Sequence, residues 1–375
     1  IYSELPTSHL VAVVDKDIGR AVALAGEFGG TPASDVRSID AALDAATVAV
    51  PTVYHAPVAV PLMQRGVAVL VEKPLAPDVA AAKTLLEAST RHNVVVRVGH
   101  SERFNPVVLA MMRMKVTPRF IETQRVSPFT FRSADIGVVF DMMIHDIDIV
   151  LHLAQATEYA VDAVGVSVLG THEDVANARI RFANGTVANL TASRLALKTD
   201  RRIRVFCPQA YITMDYQRKS GVAIKLADNL DLIRMAKERN FEDLADMQHL
   251  DFGAMMNVEP LTVHDVEPLR AEIEAFLDAV ARRRAAPDHD RRNADDATGG
   301  QASDRKRLSV SDANDPHEPG ARDRRTNGSE AASVEDGYAA VELAERITTA
   351  IKAHDFNDEL ADAARCNTPN EPRHT

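Results

Sequence analysis

Two short segments of this sequence carry side chains suited to proton transfer. In the first, an apolar strand ends in Glu72-Lys73-Pro74, so the Lys73 ammonium emerges at the carboxyl end of a buried strand, where open α/β sheets bind ligands. In the second, an apolar helix carries Asp141 and His145 four residues apart. This spacing places a carboxylate and an imidazole on one helical face, within reach of a single substrate group. Together the two segments predict a proton-handling site.

Each segment also has a structural interpretation. A histidine in an apolar helix is usually a satisfied core residue, and Asp146 and Asp148 beside His145 would make this stretch a charge cluster at a helix terminus. Lys73, which precedes a proline, would be a solvated strand end. The co-occurrence of both segments with further motifs in the same chain favours the chemical interpretation.

Composition limits the class of protein. The chain has 375 residues, of which 46% are hydrophobic, enough for a large core and two domains. Its formal net charge of -11, with basic clusters only among acidic residues, argues against a nucleic-acid partner. Since no stretch approaches the roughly 20 apolar residues of a membrane helix, no membrane partner is expected.

Cysteine usage points to a reducing compartment. Cys207 and Cys366 lie far apart and have no His or Cys at metal-ligand spacing. We therefore expect neither a disulfide framework nor a metal site, and a cytoplasmic location.

The first hundred residues alternate strands with helices. The clearest units pair a strand at Leu10–Val14 with a helix at Ile18–Phe28, and a strand at Val67–Val71 with a helix that Asp78 caps. Repeated crossovers of this length predict an α/β, Rossmann-like, doubly wound parallel sheet over residues 1–98.

Asp15 follows the strand at Leu10–Val14. In dinucleotide-binding folds, an acidic residue at the end of the second strand accepts hydrogen bonds from the adenosine ribose, and its charge disfavours a 2′-phosphate. The position therefore favours NAD over NADP, although an ordinary aspartate that begins a loop is the alternative.

The strand and glycine-rich turn that open such a fold are not found before Asp15, and Ile1–Leu5 is typical of the end of the helix that follows them. We expect the first strand and glycine loop to be missing. Dinucleotide affinity would then be impaired, because the N–H groups of that loop hold the pyrophosphate.

The sequence after residue 98 predicts a different architecture. Strand-like runs joined by turns such as Asn184-Gly185 predict an α+β domain with an open, mainly antiparallel sheet over residues 99–285. A helix around residues 141–153 precedes most of these strands. The predicted strands and the helix that follows them are Phe120–Val126, Val161–Leu169, Val175–Phe182, Val187–Ser193, Ile203–Phe206, Tyr211–Tyr216 and Val266–Arg282.

The last part of the chain is predominantly polar. Residues 286–333 are rich in Asp, Arg, Gly, Asn and Ser without apolar periodicity, which predicts a disordered insertion. A helical pattern at 334–353 predicts a C-terminal helix of the second domain, and residues 354–375 form a polar tail.

The motifs together resemble the glucose-fructose oxidoreductase / inositol dehydrogenase / MocA family, over roughly residues 1–282 and again near Val334. Glu-Lys-Pro alone is moderately specific, whereas the ordered set with the Asp/His helix is strong. The motifs are Asp15 after a strand, Val50-Pro51-Thr52 with His55, Glu72-Lys73-Pro74, Gly99-His100 with Glu102-Arg103-Phe104-Asn105-Pro106, and Asp141-x-x-x-His145.

The resemblance implies an NAD(P)-dependent dehydrogenase of a sugar, cyclitol or nucleotide-sugar hydroxyl, and a homo-oligomer formed through the open sheet. It implies that Lys73 contacts the substrate hydroxyl and the nicotinamide ribose, that His145 is the general base and that Asp141 helps to hold the substrate. The residues that it implies along the cofactor groove are Pro51, Thr52, His55, Glu72 and Lys73.

The chemistry of these residues agrees with that role. A histidine with an ordinary pKa near 6.5 can take the hydroxyl proton as hydride leaves carbon, and an ammonium stabilises developing alkoxide charge. Asp141 could orient the imidazole of His145 or accept a substrate hydroxyl, and the spacing does not separate these roles.

Three further residues have two interpretations each. Arg103 and Asn105 could hold a substrate phosphate or hydroxyl, and an interdomain salt bridge is the alternative. His55 lines the groove or is only a residue at a helix amino terminus. The sequence around Arg103 and the sequence around His145 are similar to those of family members that oxidise UDP-N-acetylhexosamines, including the 3-dehydrogenases.

Two functional hypotheses follow. The first is a hydride-transferring enzyme, which the presence of Lys73, Asp141 and His145 favours. The second is a catalytically silent family member that binds a sugar or nucleotide as a sensor, which a missing glycine loop would favour.

Overall fold

A computed structural model describes residues 1–130, 136–208, 210–226, 256–285 and 331–354. The predicted insertion and tail lie outside these ranges, apart from residues 331–333 and 354. The strands are β1 Ala12–Val14, β2 Thr31–Ala33, β3 Ala45–Val48, β4 Ala68–Glu72, β5 Val96–Gly99, β6 Phe120–Val126, β7 Tyr159–Val166, β8 Val175–Phe182, β9 Val187–Ser193, β10 Asp200–Cys207, β11 Ala210–Asp215, β12 Ser220–Leu226, β13 Met256–Pro260 and β14 Ala332–Ser333. The α-helices are α1 Ile18–Phe28, α2 His55–Gln64, α3 Val79–His92, α4 Pro106–Arg113, α5 Ile144–Ala154, α6 Pro268–Ala285 and α7 Val334–Ala353.

The amino-terminal part has the predicted Rossmann-like α/β architecture. Strands β1 and β2 pair in parallel, and β3, β4 and β5 form a second parallel group in the order β5-β4-β3. The apolar residues of β4 are buried, as expected of a strand covered on both faces. Helix α1 has the predicted bounds because Asp17 caps it, and Asp78 caps α3 by accepting from Ala81 N–H.

The second part is the predicted open, mainly antiparallel sheet. Its eight strands run in the order β13-β12-β11-β10-β6-β9-β8-β7, and only β6 and β9 pair in parallel. Alternate residues of β8 face a core that α5 and α7 complete. The Asn184-Gly185 turn joins β8 to β9, with Gly185 at φ 86°. Strands β2, β12, β13 and β14 were not predicted, because each is short or carries Pro, Gly or polar residues.

Helix α7 joins the two parts. It packs against α3 of the first part and against α5 and β7 of the second, so it is not confined to one sheet. Ser333 and Asp336 form a capping box at its start.

The carboxyl end of the predicted insertion forms regular structure, because Ala332 and Ser333 pair with β5 in strand β14. Burial of Ala332 against the core explains this correction.

Candidate active site

One cavity brings together the three residues predicted to act on a substrate. It has a volume of about 470 Å³. It lies between the end of β4, the start of α5, the carboxyl ends of β6 and β9 and the amino end of β10. The described residues that line it are Lys73, Arg125, Ser127, Pro128, Thr130, Asp141, Met142, His145, Arg194, Thr199 and Arg201. The predicted meeting of an amine from the first sheet with an imidazole from the second part is thus present.

Lys73 is held at the end of β4 by its contacts with Asp141. Its Nζ donates to the main-chain oxygen of Asp141 at 2.9 Å and lies 3.8 Å from a carboxylate oxygen of the same residue. The Lys73 side chain is 24% exposed. Burial lowers the pKa of Lys73, and the Asp141 carboxylate partly opposes this shift.

Asp141 lies in a π-helical turn, Val139–Met143, which directly precedes α5. The sequence pattern predicts a regular α-helix around residues 141–153. The wider π-helical turn at its start corrects that expectation. Glu173 accepts a hydrogen bond from Val139 N–H at 3.1 Å and satisfies a donor at the start of the turn. A Cβ at Gly137 would lie 1.9 Å from the Glu173 carboxylate, so any larger residue there would push the flexible Glu173 side chain away from the turn. Single π-helical turns are frequent at functional sites.

His145 lies in the first turn of α5 and its ring lines the cavity. Its Nδ1 is buried and has no hydrogen-bond partner among the described residues. Burial, reinforced by the positive charges of Lys73 and Arg125, holds the pKa of His145 well below its ordinary value. The imidazole is therefore neutral near pH 7 and able to accept a proton.

Arg103 and Asn105, which were predicted to bind substrate, do not line the cavity that contains Lys73, Asp141 and His145. Arg103 is 5% exposed, and its guanidinium donates to both carboxylate oxygens of Asp148 at 2.7 Å and to Asp336 at 3.2 Å. It ties α5 to α7, as the salt-bridge alternative proposed. Asn105 caps α4 through Val107 N–H, and its amide donates to a buried main-chain oxygen. Their polar atoms are engaged within the fold.

His55 is also buried, with 1% of its surface exposed, so it does not line an open groove. Its Nδ1 lies 3.1 Å from the oxygen of Pro74 and 3.2 Å from that of Leu75, and its Nε2 lies 2.9 Å from the oxygen of Val50. These contacts connect the segment after β3 with the segment after Lys73. His55 therefore positions the loop that carries Lys73.

The remaining predicted groove residues follow the carboxyl ends of parallel strands. Asp15 follows β1, Pro51 and Thr52 follow β3, and Glu72 ends β4. The ammonium of Lys16 lies 5.7 Å from the centre of the Tyr54 ring, which brings the segment after β1 beside the segment after β3. Gly99 on β5 allows Glu72 to approach, because a Cβ there would be 3.0 Å from Glu72 Oε2.

Sequence reasoning missed the arginines that line the cavity. Arg125 lies on β6, Arg201 lies on β10, and Arg194 follows β9. Arg125 makes two hydrogen bonds of 2.9 Å with Asp146, whose carboxylate comes from the residue after His145. The available signal was a charged residue, Arg125, at a buried position of the alternating pattern of β6, on the same face as Ile121 and Thr123.

Two family comparisons identify the chain. A family described as an oxidoreductase family with an NAD-binding Rossmann fold matches residues 1–100, and the GFO/IDH/MocA C-terminal domain matches residues 110–213. The chain belongs to the Gfo/Idh/MocA family of oxidoreductases. It is thus an enzyme of a family that uses a nicotinamide cofactor, with a small-molecule substrate.

The chain is also similar to individual dehydrogenases in sequence and in structure. The chain is 32% identical over 283 residues to a UDP-N-acetylglucosamine 3-dehydrogenase of Acidithiobacillus ferrooxidans, covering 74% of this chain and 83% of the relative. It is 26% identical to an inositol 2-dehydrogenase of Rhizobium meliloti, over 59% of this chain and 72% of that one. The solved structure of the Acidithiobacillus enzyme superposes with a TM-score of 0.70 at 27% identity, over 94% of this chain and 92% of that chain.

A levoglucosan dehydrogenase in complex with NADH and L-sorbose has the same fold, with a TM-score of 0.65 at 19% identity, over 92% of this chain and 87% of that chain.

Within the described ranges of the Gfo/Idh/MocA chain, no helix is long and apolar enough to cross a membrane. The same ranges contain no group of three or more His, Cys, Asp or Glu that could hold a metal ion.

Proposed function

We propose that this enzyme removes a hydride from a secondary hydroxyl of a sugar or nucleotide sugar and transfers it to NAD. The observation that carries the proposal is the convergence of Lys73, Asp141 and His145 on one cavity. Two of these residues share a helical segment and the third comes from the parallel sheet, so the cavity lies where the two parts of the chain meet.

In this proposal, His145 removes the proton of the substrate hydroxyl. A base must be unprotonated to accept that proton, and burial together with the nearby cations keeps His145 neutral at physiological pH. Its ring lines the cavity, so the substrate oxygen and the base can meet without a change of fold.

Lys73 stabilises the negative charge that develops on the same oxygen. Its ammonium is held by the main-chain oxygen of Asp141, which fixes the position of the charge before the substrate arrives. Preorganised charge of this kind is often worth several kcal/mol in a site from which water is excluded. The Asp141 carboxylate, 3.8 Å from Lys73, accepts a hydrogen bond from a further hydroxyl of the sugar.

The residues of the first part fit a nicotinamide dinucleotide. The Asp15 carboxylate can accept from a ribose diol, and its segment lies beside that of Pro51 and Thr52 through the contact between Lys16 and Tyr54. Both segments follow carboxyl ends of parallel strands, where such cofactors bind. When bound, the cofactor supplies the hydride acceptor. We infer NAD rather than NADP, because the carboxylate of Asp15 repels a 2′-phosphate.

We further propose a homo-oligomer that forms through the open sheet. The rings of Phe120 and Phe206 lie 5.4 Å apart, and those of Phe206 and Tyr211 lie 4.8 Å apart. These partly exposed aromatic residues alternate along β6, β10 and β11 with residues of the core, so they lie on the opposite face. Sedimentation of the purified protein tests the proposal, and a monomer at every concentration would overturn it.

Turnover assays test the main proposal. The purified protein is mixed with NAD or NADP and with UDP-N-acetylhexosamines, free sugars or inositols, and absorbance of the reduced cofactor is followed. We expect reduction of NAD with at least one of these alcohols. Binding of a sugar without any reduction of either cofactor would overturn the proposal and favour a silent binding protein.

A further inference from the structure

Two arginines face each other across neighbouring strands at the cavity. Arg125 of β6 and Arg201 of β10 are directly paired in the antiparallel register, and both line the cavity. Like charges opposite one another in an antiparallel pair are destabilising. A local conflict of this kind is expected mainly where function requires it.

Carboxylates within the fold neutralise Arg125. Its guanidinium makes two hydrogen bonds of 2.9 Å with Asp146 and a third contact of 3.3 Å with Glu102 Oε1. The same guanidinium lies 5.3 Å from the centre of the Tyr216 ring. Arg125 is therefore part of the framework that holds α5 against the sheet.

Arg201 is less completely paired. It lies 4.0 Å from Glu102 Oε1, the oxygen that Arg125 already contacts. Its Nε is buried and has no hydrogen-bond partner in the part of the chain that the structure describes. The side chain as a whole is 43% exposed and lines the cavity.

The cavity is positive although the whole chain is negative. Its described lining contains four cationic side chains, those of Lys73, Arg125, Arg194 and Arg201, and one carboxylate, that of Asp141, in a chain of formal net charge -11. Arg194 is paired with Asp174 at 2.9 Å, and Arg125 with Asp146. The charge that remains for a ligand is thus concentrated at Arg201 and Lys73. Ser127, Thr130 and Thr199 add hydroxyl groups to the same wall.

We propose that Arg201 binds the phosphate of a phosphate-bearing substrate, a nucleoside diphosphate sugar, while Lys73 and His145 act on its sugar hydroxyl. This inference rests on the proposed dehydrogenase function and names the substrate class. A guanidinium that lines a cavity and has its nearest carboxylate oxygen 4.0 Å away can donate paired hydrogen bonds to phosphate oxygens. Bound phosphate would also relieve the repulsion between Arg201 and Arg125. The carboxylate of a sugar acid is also an anion that a guanidinium binds. The test therefore compares phosphate ligands with glucuronate.

The test compares Arg201→Gln with Arg202→Gln. Arg202 is the next residue of β10, is exposed and is paired with Asp200 at 2.8 Å, so it is a matched control on the same strand. Calorimetry measures the binding of UDP alone, inorganic phosphate and glucuronate to each protein. We expect Arg201→Gln to weaken UDP binding by about tenfold or more, and Arg202→Gln to leave it unchanged. Arg201→Lys, which retains the charge, should restore part of the binding.

Turnover supplies the second readout. Arg201→Gln should raise KM for a UDP-sugar by a larger factor than KM for a neutral inositol, whereas Arg202→Gln should leave both values unchanged. Equal UDP binding by wild type and Arg201→Gln would overturn the proposal, as would a loss confined to glucuronate. If inositols are oxidised in a reaction that requires Lys73 and His145 but UDP does not bind, only the substrate class is wrong. If UDP binds through Arg201 and no alcohol is oxidised, the dehydrogenase proposal is wrong instead.

Discussion

The Nζ of Lys73 donates to the main-chain oxygen of Asp141 at 2.9 Å, across the junction between the parallel sheet and the helical segment that carries His145. The two residues are separated by 68 positions in the sequence. The contact fixes the ammonium relative to the imidazole, since Asp141 and His145 are on consecutive turns of the same segment. The proposed chemistry depends on this relationship.

Removing either proposed catalytic side chain should abolish most turnover. We expect Lys73→Ala and His145→Ala each to lower kcat by about 10²–10⁴-fold, the usual contribution of general acid–base and charge-stabilising groups. Lys83→Ala is the control, because Lys83 is an exposed residue of α3 whose ammonium lies 3.8 Å from Glu87. Steady-state kinetics and circular dichroism are measured for all three. Near-normal kcat in both cavity variants would remove the mechanism.

The pH profile of kcat/KM should be displaced to low pH. Oxidation requires neutral His145, and its pKa is well below the ordinary 6.5, so the activity should persist on the acidic side of that value. The Lys73 ammonium must remain charged, and its pKa is lowered from 10.5, so the alkaline decline should begin below that value. An acidic limb centred at or above pH 6.5 would contradict the buried, cation-flanked environment of His145.

Sequence patterns predicted the parts of the fold that follow from local periodicity. Continuous burial of β4, the bounds of α1, the cap of α3 and the bounds of β8 were all predicted from residue types. The same patterns placed Lys73, Asp141 and His145 in one site because family motifs and strand ends both pointed there. The sequence therefore predicted the features of the strands and helices that depend on residues nearby in the chain.

Partners distant in sequence could not be predicted. Arg103 meets Asp148 and Asp336, which lie 45 and 233 positions away, so the choice between substrate binding and an ion pair depended on tertiary packing. The arginine pair at the cavity was missed for the same reason, because the register of β6 against β10 sets Arg125 opposite Arg201. The π-helical turn depends on Glu173, which belongs to another segment.

Gly137 leaves room for the Glu173 carboxylate at the start of that turn. An alanine Cβ would overlap the Glu173 carboxylate, so Gly137→Ala must displace the group that accepts from Val139 N–H. We expect a loss of about 0.5–1.5 kcal/mol in the free energy of unfolding, because the flexible Glu173 side chain moves aside and its hydrogen bond with Val139 N–H is lost. Gly26→Ala is the control, since a Cβ there meets no atom within 4 Å and α1 should be stabilised. Denaturant titration distinguishes the two signs, and an unchanged unfolding midpoint in Gly137→Ala would contradict a stabilising role for Glu173 at this turn.

Glu272 should make the fold less stable as pH rises. It is 1% exposed on α6, and both carboxylate oxygens are buried without a hydrogen-bond partner among the described residues. Burial, followed by the charge of Glu72, raises the pKa of Glu272 to about 8. Between the ordinary pKa of 4.5 and about 8, the unfolded chain releases this proton while the folded protein keeps it, so the free energy of unfolding falls as pH rises.

Glu272→Gln should remove that dependence, because the amide does not ionise. We expect a gain in Tm over wild type that grows from pH 5 to pH 8, corresponding to several kcal/mol at the upper end, at about 1.4 kcal/mol for each unit of pKa shift. Glu274→Gln is the matched control two residues along α6, where the carboxylate is half exposed and lies 3.6 Å from Arg270. Thermal melts of the three proteins across this range decide the matter. Parallel Tm curves for wild type and Glu272→Gln would show that the carboxyl group is ionised or hydrated in the folded protein.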